Sequence, residues 1–537
     1  MKKQFKLMAL ASAAMLFAAC SQEDLLSPQE QLAQSPENNV IQFGTYLGKT
    51  GTTRAYSAGP IANETNATKG VTDLKVATFA VFSYFTEADD YVISTPSTTD
   101  LAPNFMYNQQ ITWGSSLTTP AWTYSPAKYW PNGIDKDNTS TPSNTATQGA
   151  EGKLSFFAYA PYIATPSTNY DGDLPSAITN VDNVKKNANT YGISAMTTNA
   201  YTGNVWVKYL MPNANISQAV DLLWGTNGLT TYNETDADDP TLASIGEGYN
   251  INLTKQKVTD RVKFLFKHAL TKIGGNIEET EDLDEPATAC NFEIKVDVDG
   301  NNGDNSTTYF TSGFDKTSTL VTVKEVKIMD GASAATAGLA ASGTTSDLVK
   351  SGWFNIETGT WDATAVTTGA TYSITANNTN ANASDDTYTL NPKIKEGTVS
   401  NAAGEAWNTT NSGGAEGVEV TPKPLFAKET VPGLLLIPGG NQTIYISINY
   451  VVRTADPKLA TGFTEVEQTI TNKVSLTGLQ PNKFYKIIMH LGLTSVKFEA
   501  KVADWATAAG GTYNTDGSYT TGGTANEESI WLPSNVQ

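Results

Sequence analysis

The chain predicts an all-β fold, and three observations carry that prediction. Apolar and polar residues alternate in run after run, as in 40–47, 262–273 and 443–450, and a side-chain period of two marks strands. Thr, Asn, Gly and Tyr are abundant, whereas stretches of helical period are few. Only Cys20 and Cys290 are cysteines among 537 residues, so apolar cores rather than a disulfide framework must hold the fold. A chain of this length suggests two or more domains.

The run from Val40 to Leu47 organises the rest. Ile41, Phe43, Thr45 and Leu47 fall on one side and Val40, Gln42, Gly44 and Tyr46 on the other, which reads as a half-buried strand. Gly48-Lys-Thr-Gly-Thr-Thr-Arg54-Ala55 follows, a loop of small polar residues of the kind that proteases nick. Arg54 is one of only three arginines. We expect cleavage between Arg54 and Ala55, which would make the strand a removable placeholder. Burying Ile41, Phe43 and Leu47 contributes roughly 5 to 9 kcal/mol, comparable with the whole stability of a domain. Its loss would leave an apolar groove with unpaired backbone, which favours pairing with an incoming strand. An ordinary first strand followed by an uncut loop is the plainer alternative.

Residues 1–20 are an address. Lys2, Lys3 and Lys6 precede an apolar run from Leu7 to Phe17 that is too short to span a bilayer. Leu16-Phe-Ala-Ala-Cys20 resembles the bacterial lipobox, in which the cysteine is lipidated and becomes the new N-terminus. This predicts an outer-membrane lipoprotein precursor. Ser21-Gln-Glu-Asp24 resembles the acidic tags that send lipoproteins to the cell surface in Bacteroidales-type bacteria. Residues 21–39, rich in Gln, Ser and Pro, read as a tether. Net charge is −19 with no basic patch, so nucleic acid is not an expected partner.

Leu74 to Phe85 reads as one long strand, apolar on both faces and therefore central. A shorter strand is expected over 105–113, and 122–131 reads as extended, held off helix by Pro126 and Pro131. Then come a buried strand ending at Pro161, the short apolar element Asp221-Leu-Leu-Trp224, and a period-two run from Val262 to Ile273. Val262, Phe264, Phe266 and His268 share one face of it.

Four of these segments, in this order behind a lipobox, resemble the fimbrillin family, the type V pilus subunits of Bacteroidales. They are Tyr124-Ser-Pro-Ala-Lys-Tyr-Trp-Pro131, Phe156-Phe-Ala-Tyr-Ala-Pro161, Asp221-Leu-Leu-Trp224 and Phe264-Leu-Phe-Lys-His268-Ala-Leu-Thr-Lys-Ile273. Tyr485-Lys-Ile-Ile-Met-His-Leu-Gly492 and Val496–Trp505 look like that family's last core strands. The resemblance implies two tandem transthyretin-like Greek-key β-sandwich domains, which we place at 55–248 and 249–512 after a removable segment 21–54. It implies export as a lipoprotein, cutting by a trypsin-like protease, and polymerisation by strand exchange with other pilin subunits in a surface fimbrium. In that exchange a C-terminal extension, here 513–537, fills a neighbour's groove.

Residues 278–430 carry long Asn-, Thr-, Gly- and Asp-rich insertions between expected strands such as Cys290–Val298 and Leu320–Ile328, and these depart from the short members of the family. Such loops are where adhesion to a host protein or glycan would evolve, or they are inert coat. Ile530, Leu532 and Val536 share one face of the tail and are the candidate donor residues; Pro533 permits insertion only if its missing N–H faces no partner. Disorder of the tail is the alternative.

No catalytic constellation is visible. The two histidines, His268 and His490, lie in expected strands, and no nucleophile elbow, phosphate loop or zinc spacing occurs. Asp297-Val-Asp299-Gly-Asn301 begins like a calcium loop, but Asn302 and Thr308 stand where glycine and glutamate belong, so a hairpin turn explains it better. The expectation is a structural, non-enzymatic protein with neither metal nor cofactor. Its rivals are an uncut lipid-held anchor or tip subunit and a surface glycan-binding lipoprotein.

Overall fold

Phe79–Phe85 shows why this chain folds in layers: Phe79 and Val81 enter one apolar cluster, while Ala80, Phe82 and Tyr84 on the opposite face enter another. The structure, a computed structural model, describes residues 40–46, 74–131, 152–274, 292–296, 319–377, 387–390, 423–426, 433–504 and 511–536. Within those ranges 87–89, 93–100, 115–120, 188–190, 213–218, 227–249, 254–260, 365, 457, 493–495, 514–518, 522–527 and 532–533 are not described. The protein is nearly all β, arranged in several sheets, as its sequence predicts. Among the described residues no helix is long and apolar enough to cross a membrane.

The first sheet has eight strands: β1 (Phe43–Tyr46), β2 (Phe79–Phe85), β3 (Met106–Gly114), β4 (Ala121–Thr123), β5 (Leu154–Ala160), β6 (Leu223–Thr226), β7 (Asn250–Leu253) and β8 (Val262–His268). Their order is β1-β8-β6-β5-β2-β3-β4, with β7 on β5. The two ends of the sheet approach each other, since the Trp122 indole N–H on β4 donates to Thr45 Oγ1 on β1 at 2.9 Å. The sheet thus curls around one cluster, containing Ile41, Phe43, Phe79, Trp122, Tyr124, Phe156 and Phe264. Leu74 to Phe85 is not one strand: Leu74–Ala77 is a helical turn, and Thr78, at φ 57° with its N–H on Leu74 O, leads into β2.

A second sheet covers the outer face of the first and combines residues 168–210 with a returning segment. Val349–Asn355 pairs antiparallel with Trp206–Leu210, Gly352 opposite Tyr209. Part of the expected 278–430 insertion is therefore a strand of the sheet built by residues 168–210. Its apolar residues explain this, because Trp353 packs edge-on to Tyr170 and Phe354 to Trp224. Strand pairing also crosses the expected boundary at 248/249, as β7 and β8 belong to the first sheet. The run 262–273 is broken at Ala269–Leu270, where the chain leaves β8 and enters Thr271–Ile273 in another sheet.

Apart from Gly511–Tyr513 and Tyr519–Thr521, which pair in a separate two-stranded sheet, the remaining strands form two facing sheets. One holds β9 (Thr319–Met329), β10 (Gln442–Ala455) and β11 (Phe463–Leu476), and the other is centred on β12 (Lys483–Leu491) and β13 (Val496–Asp504). Ile444, Ile446 and Ile448 of β10 share a core with Ile487, Met489 and Leu491 of β12. The tail is paired: β14 (Glu528–Trp531) runs antiparallel to β13, and β15 (Ser534–Val536) antiparallel to β11. It adds a short edge strand to each sheet.

Candidate functional site: the seat of the first strand

Ile41 and Phe43 are fully buried, as an alternating apolar face demands. The Phe43 ring lies 5.5 Å from Tyr124, 6.0 Å from Phe156, 6.0 Å from Phe264 and 6.3 Å from Phe79, centroid to centroid. Four strands or strand-like segments thus converge on one side chain of β1.

Backbone bonds fix β1 on both sides. It runs parallel to β8, Phe43 opposite Val262 and Thr45 opposite Phe264, with the Val262 N–H donating to Gln42 O at 2.8 Å. On the other side the Ile41 N–H donates to Lys128 O at 2.9 Å, and Val40 bridges Tyr129. Side chains add two clamps. The Tyr124 hydroxyl donates to Ile41 O at 2.8 Å and lies 3.2 Å from Lys128 O, and Trp122 donates to Thr45 as described above. Burial pushes the Tyr124 hydroxyl well above its ordinary pKa, so it remains a donor. Replacing Tyr124 by phenylalanine is expected to lower the unfolding free energy of the uncut chain by about 1–2 kcal/mol, the usual loss for a buried carbonyl left without its donor, read as a lower denaturation midpoint. An unchanged midpoint would remove this clamp from the account.

If β1 left, the seat would expose an aromatic slot, and the Val262 backbone N–H and the Trp122 indole N–H would lose the acceptors that β1 supplies. Bare buried polar groups cost about 1–3 kcal/mol each. An emptied seat therefore attracts any strand offering apolar side chains at period two.

Of the sequence-predicted residues, Ile41 and Phe43 stand in this seat, while Leu47, Cys20, Arg54, Ala55 and Leu532 lie outside the described residues. Ile530 and Val536 fall on different short strands, β14 opposite Ala500 and β15 opposite Asn472, so the structure does not unite them on one face of a single strand. Sequence reasoning did not find the lining set Phe79, Trp122, Tyr124, Phe156 and Phe264 as a site. The residues come from four separated segments, and no local spacing links them.

A second polar cluster was also hidden. Fully buried Glu357 accepts hydrogen bonds from the Tyr84 hydroxyl at 2.5 Å, the Tyr91 hydroxyl, and the Val205 N–H at 3.0 Å. Burial raises its pKa to about 7 against the lowering effect of those donors. It ties the segment after 349–355 to β2 and to the strand beginning at Trp206. His268 is likewise a core residue, its Nδ1 2.7 Å from Asp221 Oδ2 and its backbone N–H on Asn482 Oδ1 at 3.2 Å. Among the described residues no three His, Cys, Asp or Glu side chains are placed to hold a metal ion.

No family model matches the chain. Over 95 residues it is 34% identical to the fimbrium subunit Fim1C of Phocaeicola vulgatus, a stretch covering 18% of this chain and 19% of that one. The match thus spans about a fifth of that relative's length. A solved candidate cell adhesion protein of Bacteroides uniformis overlays 88% of this chain and all of its own at 11% identity, with a TM-score of 0.30. Another, of Bacteroides eggerthii, overlays 87% of this chain and 96% of its own at 8% identity, with a TM-score of 0.22. Overlays this loose say nothing further about the fold. The shared stretch with a fimbrium subunit, added to the ordered motifs of the sequence, supports a fimbrillin-like family for this chain.

Proposed function

We propose that this chain is a structural subunit of a cell-surface fimbrium. It is exported as a lipoprotein on Cys20, cut between Arg54 and Ala55 by a trypsin-like protease, and polymerised when the tail of another subunit takes the place of β1. The observation carrying this reading is the seat itself. One short strand, followed in sequence by the Gly- and Thr-rich stretch that contains Arg54, plugs an aromatic slot whose lining all comes from later in the chain. A strand so placed is separable from its sheet by one cut, and the slot it leaves has the chemistry to take a replacement.

N-terminal sequencing of surface material tests the cut. Ala55 is expected at the terminus of wild-type material, whereas Arg54→Ala is expected to retain residues 21–54 and to give no ladder on unboiled gels. Deleting 513–537 tests the donor, and filaments that form normally without those residues would exclude the tail. One observation favours a second reading, in which the tail stays home: its backbone pairs with β13 and β11 of its own chain. An uncut, lipid-held subunit with a docked tail would be an anchor, and its surface form would carry lipidated Cys20 and an intact 54–55 bond.

A further inference from the structure

We infer that the incoming tail runs antiparallel to β8, opposite in direction to the β1 it replaces. The inference rests on the exchange proposed above and concerns the tail of a second copy of this chain. Side chains alone would suggest the same direction, because Ile530, Leu532, Ser534 and Val536 repeat Ile41, Phe43, Thr45 and Leu47 at the same spacing. The backbone decides otherwise.

In β1 the outward residues turn their polar groups to β8, as the Val262 N–H on Gln42 O shows, and the Phe43–Val262 register directs the Gly44 N–H toward Val262 O. The inward residues turn theirs away, as the Ile41 N–H on Lys128 O shows. Same-direction entry puts Pro533 in the seat of Gly44. The pyrrolidine ring would then face a carbonyl of β8, and that buried carbonyl would lose its donor; sheets confine proline to places where its nitrogen faces no partner.

Rotating a strand by half a turn about the normal to its sheet keeps the side chains inward and reverses which way each N–H and C=O points. An antiparallel tail with Ile530 and Leu532 inward therefore directs its inward N–H groups at β8 and turns Pro533 toward the Lys128 side. Little is lost there, since Lys128 O already lies 3.2 Å from the Tyr124 hydroxyl, which is freed when Ile41 leaves. In this register Ile530 occupies the Phe43 slot, Leu532 the Ile41 seat, and Glu528 stands where Thr45 accepted from the Trp122 indole. The carboxylate gives that N–H a stronger acceptor than the hydroxyl it replaces. Antiparallel pairing is also the slightly more stable ladder per residue.

Engineered disulfides report the direction. Ser529→Cys with Lys263→Cys, in a Cys290→Ser background, sets two cysteines opposite one another only in the antiparallel seat, at a spacing disulfides accept. The filament ladder of that variant is expected to survive boiling without reductant and to collapse with dithiothreitol. Asn535→Cys with Leu265→Cys are opposite only in the same-direction seat, and that ladder is expected to stay boil-sensitive. Locking by 535 and 265, or by neither pair, overturns the inference. Pro533→Ala, which adds an N–H without disturbing a core, supplies a second readout. The antiparallel seat predicts unchanged heat resistance of the ladder, whereas a gain marks the same-direction seat. Failure of the exchange itself looks different: the chain without cysteine substitutions gives no ladder, or gives one after 513–537 are deleted.

Discussion

Phe43→Ala is expected to destabilise the uncut chain by about 3–5 kcal/mol, the range for emptying a buried aromatic site. The ring touches Phe79, Tyr124, Phe156 and Phe264, which come from different segments and cannot all close on the void. A chemical denaturation midpoint measures the loss. The same substitution is expected to have no effect on material cut after Arg54 and polymerised, because residue 43 departs with the leading segment. A cost below about 1 kcal/mol in the uncut chain would show that the slot does not hold the strand. Equal destabilisation of cut and uncut material would show that β1 stays seated after cleavage, and the exchange would fail with it.

Glu357→Gln is expected to change how stability depends on pH. The folded carboxyl titrates at about 7 against an ordinary 4.5, with burial as the main cause. Between those two values the folded state holds a proton that the unfolded chain has released, so stability falls as pH rises through that window. The displacement corresponds to about 3 kcal/mol of stability, fully present below the ordinary value and lost once the pH has risen past about 7. Tyr84 and Tyr91 do not titrate in this range, since burial and the neighbouring carboxylate raise both hydroxyls. Unfolding free energies measured from pH 5 to pH 8 should decline less steeply in the glutamine variant than in the wild type, the two converging at the acid end. Parallel slopes would mean that Glu357 is ionised at no cost, through donors stronger than the three observed.

Neither site was written in any one stretch of sequence, for a reason particular residues illustrate. Period two in 40–47 and both-face apolarity in 79–85 report how each strand is buried, and the structure places Ile41, Phe43, Phe79 and Val81 accordingly. Burial is a local demand, met by whichever partner arrives. Which strand arrives depends on residues hundreds of positions away, and the sequence carries no mark of it. The run 262–273 reads as one strand in sequence, yet its halves serve different sheets, because the chain turns at Ala269–Leu270 between them. Trp353 and Phe354 sit in what reads as an insertion, and only their pairing with Lys208 and Val207 assigns them to the sheet of 168–210, with Phe354 packed across onto Trp224 of the first sheet.

By itself the sequence determined the all-β class and the apolar faces of segments such as 40–46 and 79–85. Tertiary structure alone decided that β1 lies parallel to β8, that Tyr124 and Trp122 clamp it, that Glu357 is sealed among tyrosines, and that the tail is paired at two sheet edges. The division follows from the physics of strands: alternation fixes which side chains a strand must bury, whereas the direction of its N–H and C=O groups is settled only by the neighbours they meet.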